Sequence, residues 1–301
     1  MIYDLIVIGA GPAGITAAVY AARKRLNFLV ITGDIGGQTA WSGDIENYTG
    51  YQFITGPDLA AKFEEHMRTY GISVREGEEA SEVEKLPDSI RVRTAGAEYL
   101  ARTVIIASGK ASKELGVPGE REFKNRGLTY CATCDGPLFS GKEVAIIGGG
   151  NSALDAGMQL IKIARKVHII NNTPKLGGDP IMREKIESSP IVRIMNSAEV
   201  LAIVGSRMVS GIKVKIGPRE ELMPVEGVFV EIGLIPNSQF AKGIDLNERG
   251  EIKVNSRNET NVAGIFAAGD VTDVPEKQII IAAGEGSKAA LSAFRYISRN
   301  K

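Results

Sequence analysis

Two short glycine patterns, each set between an apolar strand and a helix, restrict this chain more than any other feature. Residues 3–8 (Tyr-Asp-Leu-Ile-Val-Ile) predict a buried parallel strand, being short, apolar and β-branched. Gly9-Ala-Gly-Pro-Ala-Gly14 follows. Residues 15–24 then read as an alanine-rich helix with basic residues in its last turn, and residues 27–32 as the next strand. The same order returns about 140 residues later: strand 143–147, turn Gly148-Gly-Gly-Asn-Ser-Ala153, helix 154–164, strand 166–170. In such a unit the first glycine permits a tight turn and the second lets a pyrophosphate approach the backbone. The third small residue lets helix and strand pack closely, and the helix N-terminus offers free N–H groups to the anion. Two units predict an α/β fold of two Rossmann-like, three-layer nucleotide-binding domains. Short strand-like runs at 90–94, 103–107, 191–195, 208–216 and 225–231 fit small β-additions. A further buried strand, 264–268, ends in Gly269-Asp270 and precedes an apolar helix from 279 to 297. The return of a nucleotide-type segment so late suggests one domain inserted in the other. The expected division is 1–113, 114–243 and 244–301, with joints near the Gly- and Pro-containing stretches 108–119 and 233–243.

Composition narrows the function classes. Lys+Arg and Asp+Glu both number 36. This balance gives no basic excess for nucleic acid or an anionic membrane. No apolar run approaches the roughly 18 residues of a membrane helix. With a strand predicted at 3–8, no leader segment is expected ahead of it. A cytoplasmic setting is the expectation.

The chain has two cysteines, Cys131 and Cys134, in Tyr-Cys-Ala-Thr-Cys-Asp. A lone C-x-x-C in a reducing compartment points to redox or metal chemistry rather than to a structural staple. A zinc site needs two more ligands. The two histidines, His66 and His168, lack the spacing for it. His66 lies on a charged helical stretch and reads as surface; His168 lies inside a strand and reads as packed. The charged run 76–85 reads as a solvated edge. A dithiol placed between two dinucleotide turns suggests electrons passing between cofactors and a disulfide.

The second turn should be followed by a ribose-reading residue at the end of strand 166–170. A carboxylate there favours NADH and arginines favour NADPH. The chain has Asn171-Asn172-Thr173-Pro174-Lys175, which is neither signature. Asn171 could hydrogen-bond a free ribose hydroxyl, and Lys175 could contact a phosphate loosely. After the first turn, Asp34 lies slightly late for a ribose-binding acid.

Taken together, Gly9–Gly14, Gly36-Gly-Gln38, Ile45-Glu-Asn-Tyr48, Gly109, Tyr130-Cys-Ala-Thr-Cys-Asp-Gly136, Gly148–Ala153 and the segment 260–271 resemble the low-molecular-weight thioredoxin reductases in order and spacing. Asp135-Gly-Pro-Leu-Phe139, Asn151-Ser152 and Lys277-Gln-Ile-Ile-Ile281 resemble especially the reductase half of the alkyl hydroperoxide reductase flavoprotein. The resemblance implies FAD held by Gly9, Gly11, Pro12, Ala13, Gly14, Gly37, Gln38, Asn47, Gly109, Gly269, Asp270, Gln278 and Ile279. Asp270 would hydrogen-bond the ribityl chain; a helix N-cap is its plainer role. Trp41 would lie near the flavin or simply pack. NADH or NADPH would lie on Gly148, Gly150, Asn151, Ser152, Ala153 and Asn171. Electrons would pass by hydride transfer to FAD and then to the Cys131–Cys134 disulfide, with Cys134 toward the flavin. Cys131 would attack a disulfide of thioredoxin or a thioredoxin-like protein, Cys134 would resolve the mixed disulfide, and Asp135 would protonate the leaving thiolate. A rotation about the two joints would exchange nicotinamide and disulfide at the flavin. A homodimer is implied as well. Rival readings are a reductase serving a peroxiredoxin system through a separate glutaredoxin-like protein, a reductase fed by ferredoxin or deazaflavin, and an FAD-binding sensor without turnover.

Overall fold

The computed structural model describes residues 2–42, 44, 45 and 47–300; the side chains of Trp41, Asp44, Thr133 and Cys134 are outside that description. The chain divides into two compact units, residues 1–111 with 235–301, and residues 112–234. The observed return to the first unit comes earlier than the expected 243/244. The reason is local pairing. Val83 N–H donates to Phe240 O at 2.8 Å, and Asn237 N–H donates to Gly109 O at 3.0 Å, so residues 235–243 are tied to first-unit strands.

Among the described residues of the first unit, seven strands share a sheet. Its parallel part runs Val74–Glu76, Phe28–Ile35, Ile2–Ala10, Glu98–Ile106, and Ile265–Ala267 pairs with the end of Glu98–Ile106. The start of that strand pairs antiparallel with Ile90–Thr94, which carries Ala80–Lys85 outside it. The charged run is thus an edge strand. Val83 alone of its side chains is fully buried, while Glu82 pairs with Arg93. Along Ile2–Ala10 the side chains alternate between two cores. Leu5 and Val7 enter one, and Ile6 and Ile8 the other. A strand buried on both faces needs this unbroken apolar run, and each such side chain contributes roughly 1.5–3 kcal/mol.

Helix Pro12–Arg23 leaves the first glycine turn and packs against helix Ile279–Arg299. Small residues set their approach. A Cβ on Gly286 would lie 2.0 Å from Ala13 O.

The second unit is built on five parallel strands in the order Leu128–Thr129, Gly227–Val230, Glu143–Ile147, Lys166–Ile170, Val192–Met195. Helix Asn151–Leu160 begins three residues before the expected 154, because the last residues of the turn are already helical. An antiparallel meander, Ala198–Gly205, Val209–Ile216 and Arg219–Pro224, completes the unit. The segments where the chain passes between units, Lys110–Ser112 and Leu234–Pro236, pair as a two-stranded sheet. Among the described residues no helix is long and apolar enough to cross a membrane.

Candidate active site

In the first unit the expected residues gather at the C-terminal edge of the sheet, where open α/β sheets place ligands. Gly9 takes φ +99° because a Cβ there would lie 2.3 Å from Ala107 O. Gly14 is equally constrained, since a Cβ there would lie 1.9 Å from Gly9 O. Gly11 differs. Its nearest neighbour to a Cβ would be Gly36 O at 4.0 Å, so its outer face is open. Pro12 opens the helix, Gly11 caps it without a side chain, and no acid lies in the first turn. Such an end leaves N–H groups and a partial positive charge for an anion.

Gly37 folds back over this turn, its Cβ position lying 3.2 Å from Gly11 Cα. Gln38 Nε2 then donates to Lys110 O at 2.8 Å, which ties the same loop to the segment after Gly109. Gly269 packs on Ala13, placing Asp270 beside the first helical turn. Asn47 Nδ2 donates to Gln278 Oε1 at 3.1 Å, and Ile279 packs on Ile45, Ile54 and Leu59. Asp34 is exposed, and Thr32 Oγ1 donates to its carbonyl oxygen.

Asp270 is partly buried, and among the described residues no group hydrogen-bonds its carboxylate. Burial raises its carboxyl above the ordinary range, while Lys277 and Lys110 pull the other way. The open face of Gly11 and this unpartnered acceptor both fit FAD, a ligand that carries a pyrophosphate and a polyol. Sequence reasoning missed the group that holds the two lysines. Glu251, 5% exposed, accepts from Lys110 Nζ at 2.9 Å and Asn247 Nδ2 at 2.7 Å, and Lys277 Nζ lies 3.1 Å away. Burial alone would raise the Glu251 carboxyl, but these hydrogen bonds outweigh it and hold it down at about 2.

The second unit brings four strand ends side by side: Cys131 follows Leu128–Thr129, Glu231 follows Gly227–Val230, Gly148 follows Glu143–Ile147 and Asn171 follows Lys166–Ile170. Gly148, at φ +140°, backs onto Glu231 O, which a Cβ would approach to 2.2 Å. Gly150 has open space around its Cβ position and caps helix Asn151–Leu160 without a side chain. Ser152 is exposed and Ala153 buried, as a cradle and its packing face require. Asn151 Oδ1 accepts the Asp179 N–H at 2.7 Å, so this side chain fixes the neighbouring loop.

Asn171 is 2% exposed, and its amide is engaged by Thr173 of its own loop and by Asn196 of the turn after the neighbouring strand. Its Nδ2 donates to Thr173 O and Asn196 Oδ1; its Oδ1 accepts from Thr173 N and Oγ1. An amide offers two donors and two lone pairs. With these four bonds Asn171 ties its own loop to the turn at Asn196.

Cys131 is partly exposed and held as a disulfide. Its N–H donates to Thr129 Oγ1 at 3.1 Å, and its carbonyl accepts the Asp135 N–H at 3.2 Å. Asp135 therefore closes the helical turn Ala132–Asp135 that begins beside Cys131. The expected roles of the Cys134 and Trp41 side chains lie outside the described residues. Phe139 anchors the redox turn to the sheet, meeting Phe229 edge-on at 5.1 Å. Gly227 makes room for that ring, since a Cβ would lie 2.4 Å from it. Tyr130 Oη donates to Glu120 Oε1 at 2.8 Å. Burial raises its phenol first, and the Glu120 bond adds to that.

His66 is exposed against Tyr70. His168 is 1% exposed, with Nε2 2.6 Å from Glu143 Oε1. Among the described residues no cluster of three or more His, Cys, Asp or Glu could hold a metal ion.

Comparison with known proteins places this geometry. The family model for pyridine nucleotide-disulphide oxidoreductases matches residues 3–286. The chain is 43% identical over 305 residues to the F subunit of alkyl hydroperoxide reductase from Pseudomonas aeruginosa, covering 99% of this chain and 58% of that protein. It is also 43% identical over 302 residues to a protein named NADH dehydrogenase from Ferdinandcohnia aciditolerans, again with 99% and 58% covered. The chain therefore spans somewhat over half the length of these curated relatives. The crystal structure of Lactococcus lactis thioredoxin reductase in its FR conformation superposes with a TM-score of 0.87 at 32% identity, covering 99% of both chains. FAD and a pyridine nucleotide, the two cofactors expected from the sequence, are those that this family uses. The chain belongs to the pyridine nucleotide-disulphide oxidoreductase family and shares the architecture of the thioredoxin reductases.

Proposed function

We propose that the chain takes two electrons from NADH and delivers them, through its Cys131–Cys134 disulfide, to the disulfide of thioredoxin or a thioredoxin-like protein. The observation that carries this reading is the disulfide-bonded Cys131 standing at the C-terminal edge of the same parallel sheet as the Gly148 turn. FAD, when bound, supplies the two-electron relay between nicotinamide and disulfide. Gly9, Gly11 and Gly14 would hold its pyrophosphate and Asp270 its polyol. Gly150, Asn151 and Ser152 would take the pyridine nucleotide. The loop 171–179 offers Lys175 as its single basic residue and no arginine for a 2′-phosphate, which favours NADH.

Once the dithiol has formed, the Cys131 thiolate attacks the acceptor disulfide and one acceptor sulfur leaves. Cys134 then attacks Cys131 in the mixed disulfide, the second acceptor sulfur is released, and the internal disulfide is restored. Asp135, on the same turn, is placed to protonate a leaving thiolate. The balance is NADH, one proton and a protein disulfide to NAD⁺ and a protein dithiol.

A second acceptor reading is favoured by the 43% identity to the F subunit of alkyl hydroperoxide reductase. In it the acceptor is a small dithiol protein of a peroxiredoxin system. Stopped-flow mixing under anaerobic conditions tests donor and acceptor together. NADH should bleach the bound flavin, and reoxidation should then be timed with thioredoxin and with a glutaredoxin-like protein. Bleaching by NADPH but not by NADH would overturn the NADH assignment, and failure of both would overturn a nicotinamide donor.

A further inference from the structure

Leu128–Thr129 pairs in parallel register with Gly227–Val230, Leu128 opposite Val228 and Thr129 opposite Phe229. Two residues further along each chain stand Cys131 and Glu231, so both leave the sheet at the same height on neighbouring strands. Glu231 is fixed from its other side as well. Its N–H donates to Ile147 O at 2.7 Å, and its carbonyl abuts Gly148. Its side chain is partly buried, and the backbone N–H of Ala132, the residue after Cys131, hydrogen-bonds to its carboxylate.

We infer that the Glu231 carboxyl is an electrostatic partner of the redox dithiol: neutral, it permits Cys131 to ionise; ionised, it holds back formation of the Cys131 thiolate. The inference rests on Cys131 being the attacking thiol. It assigns Glu231 no bond-making or electron-transfer step, only a proton gained or lost on its own carboxyl. Burial pushes that carboxyl up to about 8, the Ala132 N–H opposes the rise and Asp155 adds to it. The redox turn, helix Asn151–Leu160 and strand Glu143–Ile147 bring acidic groups toward Glu231, while the exposed Lys113 lies on the segment that bonds Gly233. Asp135 lies on the redox turn, Asp155 on helix Asn151–Leu160, and Glu143 at the far end of its strand; these elements carry no Lys, Arg or His. No cation there favours the charged form. A group in such surroundings changes charge in the pH range where a thiol also ionises.

The test uses full-length protein in a Cys134→Ser background, where Cys131 is the single thiol. The reduced protein is alkylated with iodoacetamide across pH, with and without Glu231→Gln, which keeps an acceptor for Ala132 but removes the charge. Near pH 8.5 the Gln variant should alkylate about three- to tenfold faster, and near pH 6 the two rates should agree. Identical profiles overturn the role of Glu231 while leaving Cys131 as nucleophile. A Cys131 that reacts at no pH overturns both readings. Should Glu231→Gln fail to fold, Asp155→Asn carries the test. It should move the onset of the rate suppression to lower pH, and an unmoved onset defeats the inference.

Discussion

Lys110 Nζ lies 2.9 Å from Glu251 Oε1, with the two side chains 13% and 6% exposed. Lys277 reaches the same carboxylate and also donates to Thr272 O. One buried acid thus fixes two cations that act on Asp270. Removing one partner of a buried pair leaves uncompensated charge, at a cost of roughly 3–5 kcal/mol. Glu251→Ala should therefore lower the melting temperature by several degrees or more, measured calorimetrically. The folded carboxyl sits near 2, below its usual value of 4.5. Its stabilising contribution is complete above about pH 4.5 and is lost as pH falls toward 2. The wild type should lose stability across that window more steeply than Glu251→Gln.

Gly11 and Gly150 offer a separation of binding from folding. Both have ordinary extended backbone, and both have room for a methyl group: a Cβ on Gly11 would meet one atom at 4.0 Å, and one on Gly150 would meet none. Gly11→Ala should fold with nearly unchanged stability yet lose FAD affinity about tenfold or more, read by flavin retention on dialysis. Gly150→Ala should retain flavin and raise the KM for NADH by a similar factor. Gly14→Ala, by contrast, drives a Cβ to 1.9 Å from backbone and should impair folding itself.

Asn171 and Asn172 should behave differently despite adjacency. Asn171→Ala deletes four part-buried hydrogen bonds that join two loops and should cost roughly 2–3 kcal/mol, measured by denaturant unfolding, without changing donor preference. Asn172 is exposed. Asn172→Arg supplies a guanidinium beside the nucleotide turn and should raise kcat/KM for NADPH relative to NADH about tenfold.

The two cysteines should separate the halves of the reaction. Cys131→Ser and Cys134→Ser should each retain bleaching of the flavin by NADH. Each should lose acceptor-disulfide reduction by at least about 1000-fold, since neither a mixed disulfide nor its resolution is complete with one thiol. Full thioredoxin reduction by either variant would remove the dithiol from the mechanism.

What was legible in the sequence was local. Gly9, Gly14 and Gly148 announce their turns because no side chain fits against the backbone of Ala107, Gly9 and Glu231. The spacing of the C-x-x-C narrows it to redox or metal chemistry. The hidden parts join distant positions. Glu251 meets Lys110 across 141 residues, and Glu231 meets Ala132 only because Gly227–Val230 inserts between Leu128–Thr129 and Glu143–Ile147. The surviving sequence signal for Glu231 is a single acid ending an otherwise apolar strand. The bonds of Asn171 to Thr173 and Asn196 were hidden for a related reason: they depend on loops that periodicity does not describe.

Where the chain leaves the first unit and where it returns, the two strands are stitched together on both sides of the crossing. Lys113 N–H donates to Gly233 O at 2.9 Å, and Asn237 N–H donates to Gly109 O at 3.0 Å. The two ends of the inserted segment therefore lie side by side. A cut across this pair removes residues 112–234 as one cassette and leaves a gap that a short turn can close. The host sheet would keep every one of its described strands, because none of them comes from residues 112–234.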